Sequence, residues 1–256
     1  MILNSPDLSY RPVRIVSLVP SQTELLHYLG LEHETIAITK FCIHPASWHQ
    51  NKLKIGGTKN FSLKKIIALQ PDLIIANKEE NVKEEIEALS EHQVWVTDIS
   101  TLEDAYQMIS DVGKLTHKYD EAITLITLIK EKFTSFHSGK IPVAYMIWKE
   151  PYMAAGGDTF INDMLLHAGF INVFASHKRY PVITFSDLKN CGCEIIMLSS
   201  EPYPFSVKHQ LALQKLLPDI KIVLTDGEMF SWYGSRLLKA TEYFSELHKQ
   251  IGVYNV

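Results

Sequence analysis

Short runs of β-branched and aliphatic residues alternate along this chain with stretches in which apolar side chains recur every three or four positions. Residues 14–19 (RIVSLV) read as a buried strand that Pro20 ends. Ser21, with Glu24 three residues on, has the spacing of a capping box and opens a helix through Leu25, Leu26 and Leu29 to Gly30. Residues 35–39 predict a second strand and 62–69 a short helix, after which Pro71-Asp72 delivers the chain into a third strand at 73–76. A helix at 82–90, a strand at 94–96 and a helix capped by Ser100 and Glu103 and reaching residue 115 follow. This order predicts a parallel sheet covered on both faces.

Residues 119–136 differ. Ala122, Ile123, Ile126, Ile129, Phe133 and Phe136 keep a helical period over about five turns, and no strand follows until Val143. The pattern predicts one long helix joining two lobes, the alternative being an ordinary crossover helix within one sheet. Beyond it the alternation resumes: strands at 143–147, 171–174, 195–198 and 222–224, and helices at 160–167, from Thr184 with Asp187, at 211–217 and at 233–251. Residues 61–76 (FSLKKIIALQPDLIIA) lie without a gap over 183–198 (ITFSDLKNCGCEIIML): a hydroxyl cap, an apolar helix face, then an acid and a strand. Duplicated α/β lobes are the simplest reading. The expected fold is α/β, with parallel-sheet lobes at 1–118 and 138–256, a bridging helix at 119–137, and a ligand cleft between the lobes.

Composition narrows the function. The 256 residues carry 25 Lys and Arg against 29 Asp and Glu, a formal charge of -4, and this balance offers no basic stripe for nucleic acid. No apolar run approaches the roughly 18 residues of a membrane span, so a chain not embedded in a membrane is expected. Residues 1–12 lack a basic start and an apolar core, which reads as a cytoplasmic chain; a periplasmic location is expected if an export segment precedes it. Cys42, Cys191 and Cys193 lack the paired spacing of a zinc site, and Cys191 and Cys193 read as small buried hydrophobes.

No G-x-S-x-G, G-x-G-x-x-G, phosphate-binding loop or H-E-x-x-H occurs; His33-Glu34 fails the last at Ala37. The remaining chemistry lies in loops that follow strands, where open α/β sheets bind ligands. The candidate contacts in the first half are Phe41, His44, Trp48, Thr58, Lys59 and Glu80. Those in the second half are Trp148, Tyr152, Asp158, Arg179, Tyr180, Phe205, Phe230, Trp232, Tyr233 and Arg236. Aromatic rings gathered at loop ends suit a large, flat, partly apolar ligand, although they could equally pack the two lobes together. His44 reads as an axial metal donor or as a hydrogen-bonding loop residue. No other metal site and no intrinsic cofactor is expected. A rival reading is an enzyme of tetrapyrrole or metal-cofactor metabolism that uses Glu79, Asp158 or His177 as acid or base.

Three stretches carry a resemblance: RIVSLVPSQTELLHYLG (14–30), LKKIIALQPDLIIA (63–76) and AAGGDTFINDMLLHAGFINVF (154–174). Through them the chain resembles the class III solute-binding proteins, the cobalamin-, haem- and siderophore-binding components of ABC importers, over nearly its full length. The pattern is most similar to that of the cobalamin-binding members. The resemblance implies two lobes bridged by a rigid helix and a non-enzymatic protein whose ligand is a corrinoid or related metal chelate, with haem or a ferric siderophore as the alternative. It implies that Phe41 flanks the ligand ring, that Tyr180-Pro181 is an aromatic-Pro contact and that Arg236 follows the ligand loop. Two departures stand out. Thr58 replaces a tryptophan, and Lys64 and Ser186 stand where glutamates would meet arginines of the membrane subunits. A cation facing an arginine repels it, which argues against ordinary docking to an importer.

Overall fold

The computed structural model describes residues 1–134 and 140–252, so residues 135–137 of the expected bridging helix lie outside the described residues. The chain divides into two compact units. Unit 1 holds Met1–Ile99, Glu103–Leu128 and Tyr233–Arg236; unit 2 holds Ser100–Leu102, Ile129–Trp232 and the remainder from Leu237.

Unit 1 is built on five strands, β1 (Ile15–Ser17), β2 (Thr35–Ile38), β3 (Leu53–Lys54), β4 (Leu73–Asn77) and β5 (Val94–Thr97), in the order β3-β2-β1-β4-β5. Every pairing is parallel. β1 and β4 are buried throughout, as continuous apolar runs in a sheet covered on both faces must be. Val16, Ile74 and Ala76 pack with Ile66 of α3 (Leu63–Ala68) and Ile86 of α4 (Lys83–Glu87).

The first helix, α1 (Pro20–Tyr28), has Val19 rather than Ser21 as its N-cap and so starts two residues earlier than the capping box predicts. Pro20 occupies its first turn, where the missing N–H costs nothing, and Val19 makes no side-chain cap. The expected Ser21/Glu24 capping box is therefore absent. A helix the pattern did not predict, α2 (Ala46–Asn51), follows β2. α5 (Leu102–Leu115) and α6 (Tyr119–Thr134) close the first half. A Cβ on Gly113 would lie 2.5 Å from the Ala122 side chain, so the two helices pack too closely there for any larger residue. The boundary between the units falls within α6, between Leu128 and Ile129.

Unit 2 repeats the plan on β6 (Ile141–Trp148), β7 (Met153–Ala154), β8 (Phe170–Asn172), β9 (Ile195–Ser199) and β10 (Lys221–Thr225). The order β10-β9-β6 is parallel. β8 pairs parallel with the first residues of β6, and the two-residue β7 pairs antiparallel with its last. The helices are α7 (Phe160–His167), α8 (Phe185–Asn190), α9 (Val207–Leu216), α10 (Glu228–Ser231) and α11 (Leu237–Gln250). Thr184 and Asp187 form the expected capping box on α8. The internal repeat holds in register: α3 and β4 superimpose in sequence on α8 and β9 without a gap. The last helix starts at Leu237 rather than Tyr233, because Gly234 takes a φ of 107° that no helix contains.

Candidate functional site

The loops that follow the parallel strands hold most of the expected contact residues, and each unit secures its loops differently. In unit 1 Asn77, at the end of β4, accepts from the backbone N–H of Glu79 (2.9 Å) and Glu80 (3.2 Å) and donates to the Thr97 carbonyl (3.1 Å). Asn81 closes the turn by accepting from Asn77 N (2.9 Å) and donating to the Thr58 carbonyl (2.9 Å). These amides bring Thr58, Glu79 and Glu80 together, with Lys59 exposed beside them. Phe41, 51% exposed, lies over Gly57, and the Lys40 ammonium stands 5.0 Å from its ring centre. His44 is half-buried ahead of Pro45. Among the described residues no group of three or more His, Cys, Asp or Glu side chains could hold a metal ion.

Several of the expected contact residues are buried. Trp48 sits on α2, 1% exposed, edge-on to His27 at 5.2 Å. Tyr233 and Arg236 are anchors of unit 1 rather than exposed contacts. The Tyr233 phenol bonds Ser21 and Gln22, and burial pushes its ionisation up. Arg236, 6% exposed, donates from Nε and Nη2 to the two carboxylate oxygens of Glu24, each at 2.9 Å. Glu24 thus serves this bidentate pair and not a helix cap.

In unit 2 Trp148, 39% exposed at the end of β6, meets Tyr203 edge-on at 5.6 Å, and Tyr152 is half-buried on the same cluster. Tyr203 tilts against Phe205 at 4.8 Å. Phe205 itself is buried in the unit's core, so the partly exposed ring of that loop is Tyr203, two residues earlier. Phe230 is a core ring between Tyr145 (5.1 Å) and Phe244 (4.9 Å). Trp232 is buried and donates from Nε1 to Glu201 Oε1 at 2.8 Å, where Ser231 Oγ also donates at 2.6 Å. A third group surrounds Gly156 and Gly157, whose N–H groups donate to the carbonyls of Arg179 (2.7 Å) and His177 (2.8 Å). Asp158 accepts from Arg179 N, and the Arg179 guanidinium lies 5.8 Å from the Tyr180 ring. Asp158, Arg179 and Tyr180 therefore stand together, with His177 exposed nearby.

Sequence reasoning missed Asn77 and the turn-closing role of Asn81, and it missed Glu201 and His209. The Asn-x-x-x-Asn spacing directly after a buried strand was a usable signal for the first two, since short amides often close turns on their own backbone. Lys64 and Ser186 occupy matching second positions of α3 and α8, and both are exposed.

A sequence profile of the family described as "Periplasmic binding protein" matches residues 15–216. The vitamin B12-binding protein of Vibrio parahaemolyticus is 24% identical over 208 residues, covering 78% of this chain and 75% of that protein. The uncharacterised ABC transporter substrate-binding lipoprotein YvrC of Bacillus subtilis is 27% identical over 254 residues, covering 92% of this chain and 79% of that protein. The apo periplasmic haem-binding protein RhuT of Roseiflexus has a similar structure, with a TM-score of 0.78, 18% identity, and 91% of this chain and 98% of that chain covered. No helix among the described residues is long and apolar enough to cross a membrane.

Proposed function

Because this chain belongs to the periplasmic binding protein family, we propose that it is a non-enzymatic receptor for a corrinoid or related metal chelate and serves as the substrate-binding component of an ABC importer. The observation that carries the reading is the pairing of exposed aromatic faces with the ends of parallel strands: Phe41 in unit 1 and Trp148 with Tyr203 in unit 2. Such faces suit contact with a flat macrocycle, and the candidate polar contacts are Lys59 and Glu80 in unit 1 and Asp158 and Arg179 in unit 2. His44 is the candidate axial donor to the chelated metal. The names of the relatives, a vitamin B12-binding protein and a substrate-binding lipoprotein, support the ligand class and a location outside the cytoplasm. Lys64 and Ser186 imply that docking to membrane subunits does not use the glutamate-arginine contacts expected of relatives.

The test is an absorbance titration of the purified protein with cyanocobalamin, haemin and a ferric hydroxamate. A corrin shift that saturates with one equivalent supports the reading. Saturation with haemin or the hydroxamate alone replaces the ligand, and no shift with any of the three overturns the receptor reading.

A further inference from the structure

His209 occupies the third helical position of α9, three residues after its N-cap Ser206. That is the place a capping box normally gives to Glu or Gln. Here the Ser206 N–H donates to His209 Nδ1 at 3.0 Å, and the Ser206 hydroxyl lies 3.2 Å from the same nitrogen. A ring nitrogen that accepts an N–H carries no proton, so the imidazole is neutral and its proton sits on Nε2, 3.3 Å from the Tyr203 hydroxyl. The residue is 9% exposed. Tyr203 and Phe205 pack against it at 5.5 and 5.7 Å, and Tyr203 in turn meets Trp148. One side chain therefore joins a helix cap to the aromatic face of unit 2.

We propose that His209 is the positioning residue of the Trp148–Tyr203 face, and that protonating it releases this face together with any ligand held there. The ligand half of the proposal rests on the reading above. A proton on Nδ1 would set one N–H against another at 3.0 Å, and the imidazole could then no longer cap α9 and hold Tyr203 at once. The groups that face the ring are Tyr203, Lys208 on α9, and Lys149 and Glu150 in the turn after β6. Burial, then the two lysines, holds the imidazole below its ordinary value against the opposing pull of Glu150. The contribution of the neutral ring is therefore complete above the unfolded value of about 6.5 and is lost as the pH falls through the lower folded value.

The experiment compares the parent protein with His209→Gln, which keeps a capping acceptor but does not titrate, and with His209→Ala, which keeps neither. Cyanocobalamin and haemin are titrated at about pH 7.5 and about pH 5, and the near-ultraviolet circular dichroism of the ligand-free proteins is followed over the same range. We expect parent affinity to fall at least about five-fold on acidification, His209→Gln to stay flat, and His209→Ala to bind weakly at both values. A flat parent, an unchanged slope in His209→Gln, or parental affinity in His209→Ala overturns the proposal. If neither chelate binds, the ligand-free spectra decide the positioning role alone. A signal that changes with pH in the parent and not in His209→Gln sustains it, and equal signals overturn it.

Discussion

β4 and β9 hold the same place in their sheets, each beside the strand that opens its sheet pairing and each carrying a C-terminal residue paired with a threonine, Thr97 or Thr225. They end on different chemistry. Asn77 has an amide with two donors and two acceptor lone pairs, and together with Asn81 it fastens the following loop, accepting from the N–H groups of Glu79 and Glu80. Ser199 has one hydroxyl, which donates to the Glu201 carbonyl at 2.6 Å and accepts from the buried Tyr145 at 3.2 Å. Around this strand end Ser200 accepts from the Gly227 N–H at 2.9 Å, and Glu201 and His209, side chains that titrate, supply further contacts. At this one strand end the repeated scaffold adds titrating side chains, while the Asn172 amide at the end of β8 still holds its loop through the Phe174 N–H and the Ala155 carbonyl.

The two arginines expected at the ligand loops give the largest contrast. Removing the partner of a buried guanidinium leaves an uncompensated charge, so Glu24→Ala should cost about 3–5 kcal/mol in chemical denaturation, whereas Arg179→Ala, at an exposed position, should cost under about 0.5 kcal/mol. Replacing both members, Glu24→Leu with Arg236→Met, should return stability close to that of the parent. Equal losses for Glu24→Ala and Arg179→Ala would break the contrast.

The paired glycines come next. A Cβ on Gly157 would stand 1.9 Å from the Ala175 carbonyl oxygen, a backbone atom, while one on Gly57 would meet the Asn60 amide at 2.2 Å, a side chain free to turn away. Thermal unfolding should therefore show Gly157→Ala losing about 2–3 kcal/mol and Gly57→Ala about 1 kcal/mol or less. The strand ends sharpen the comparison further: Asn77→Ala strands two backbone donors and should cost about 2–3 kcal/mol, against about 1 kcal/mol for Ser199→Ala.

The smallest effect is the most specific. Burial, aided by Glu228 and Asp226, raises the Glu201 carboxyl above its ordinary value, while Ser231 and Trp232 pull it down. A carboxyl raised on folding weakens the native state as the pH climbs through its folded value. Glu201→Gln should thus raise the unfolding midpoint at about pH 7 and match the parent near pH 4. A gain of equal size at both values would show that the charge is irrelevant.

The repeated strand and helix pattern was legible because a buried parallel strand and its cap leave a local signature, and the gapless match of 61–76 with 183–198 carried that signature twice. Side-chain direction was legible only where a period existed to carry it. Trp48 and Phe230 lie on helices of six and four residues, too short to display one, and both read as loop aromatics when they are core. Arg236 looked like a ligand contact because nothing near it in sequence announces Glu24. Phe205 and Tyr203 exchange roles across Pro204, a choice made by packing against His209 and Trp148 rather than by any pattern along the chain.

The Glu24–Arg236 pair spans 212 residues of sequence. A chain leaving the ribosome carries Glu24 on α1 long before its partner exists, and the segment that completes unit 1, Tyr233–Arg236, emerges only after β6 to β10 have been made. Unit 1 cannot finish as a vectorial, self-contained product, because its last ion pair and the Tyr233 contacts to Ser21 and Gln22 arrive with the second half. A nascent chain stalled before Tyr233 should then be more susceptible to protease within its first hundred or so residues than one stalled after Leu237.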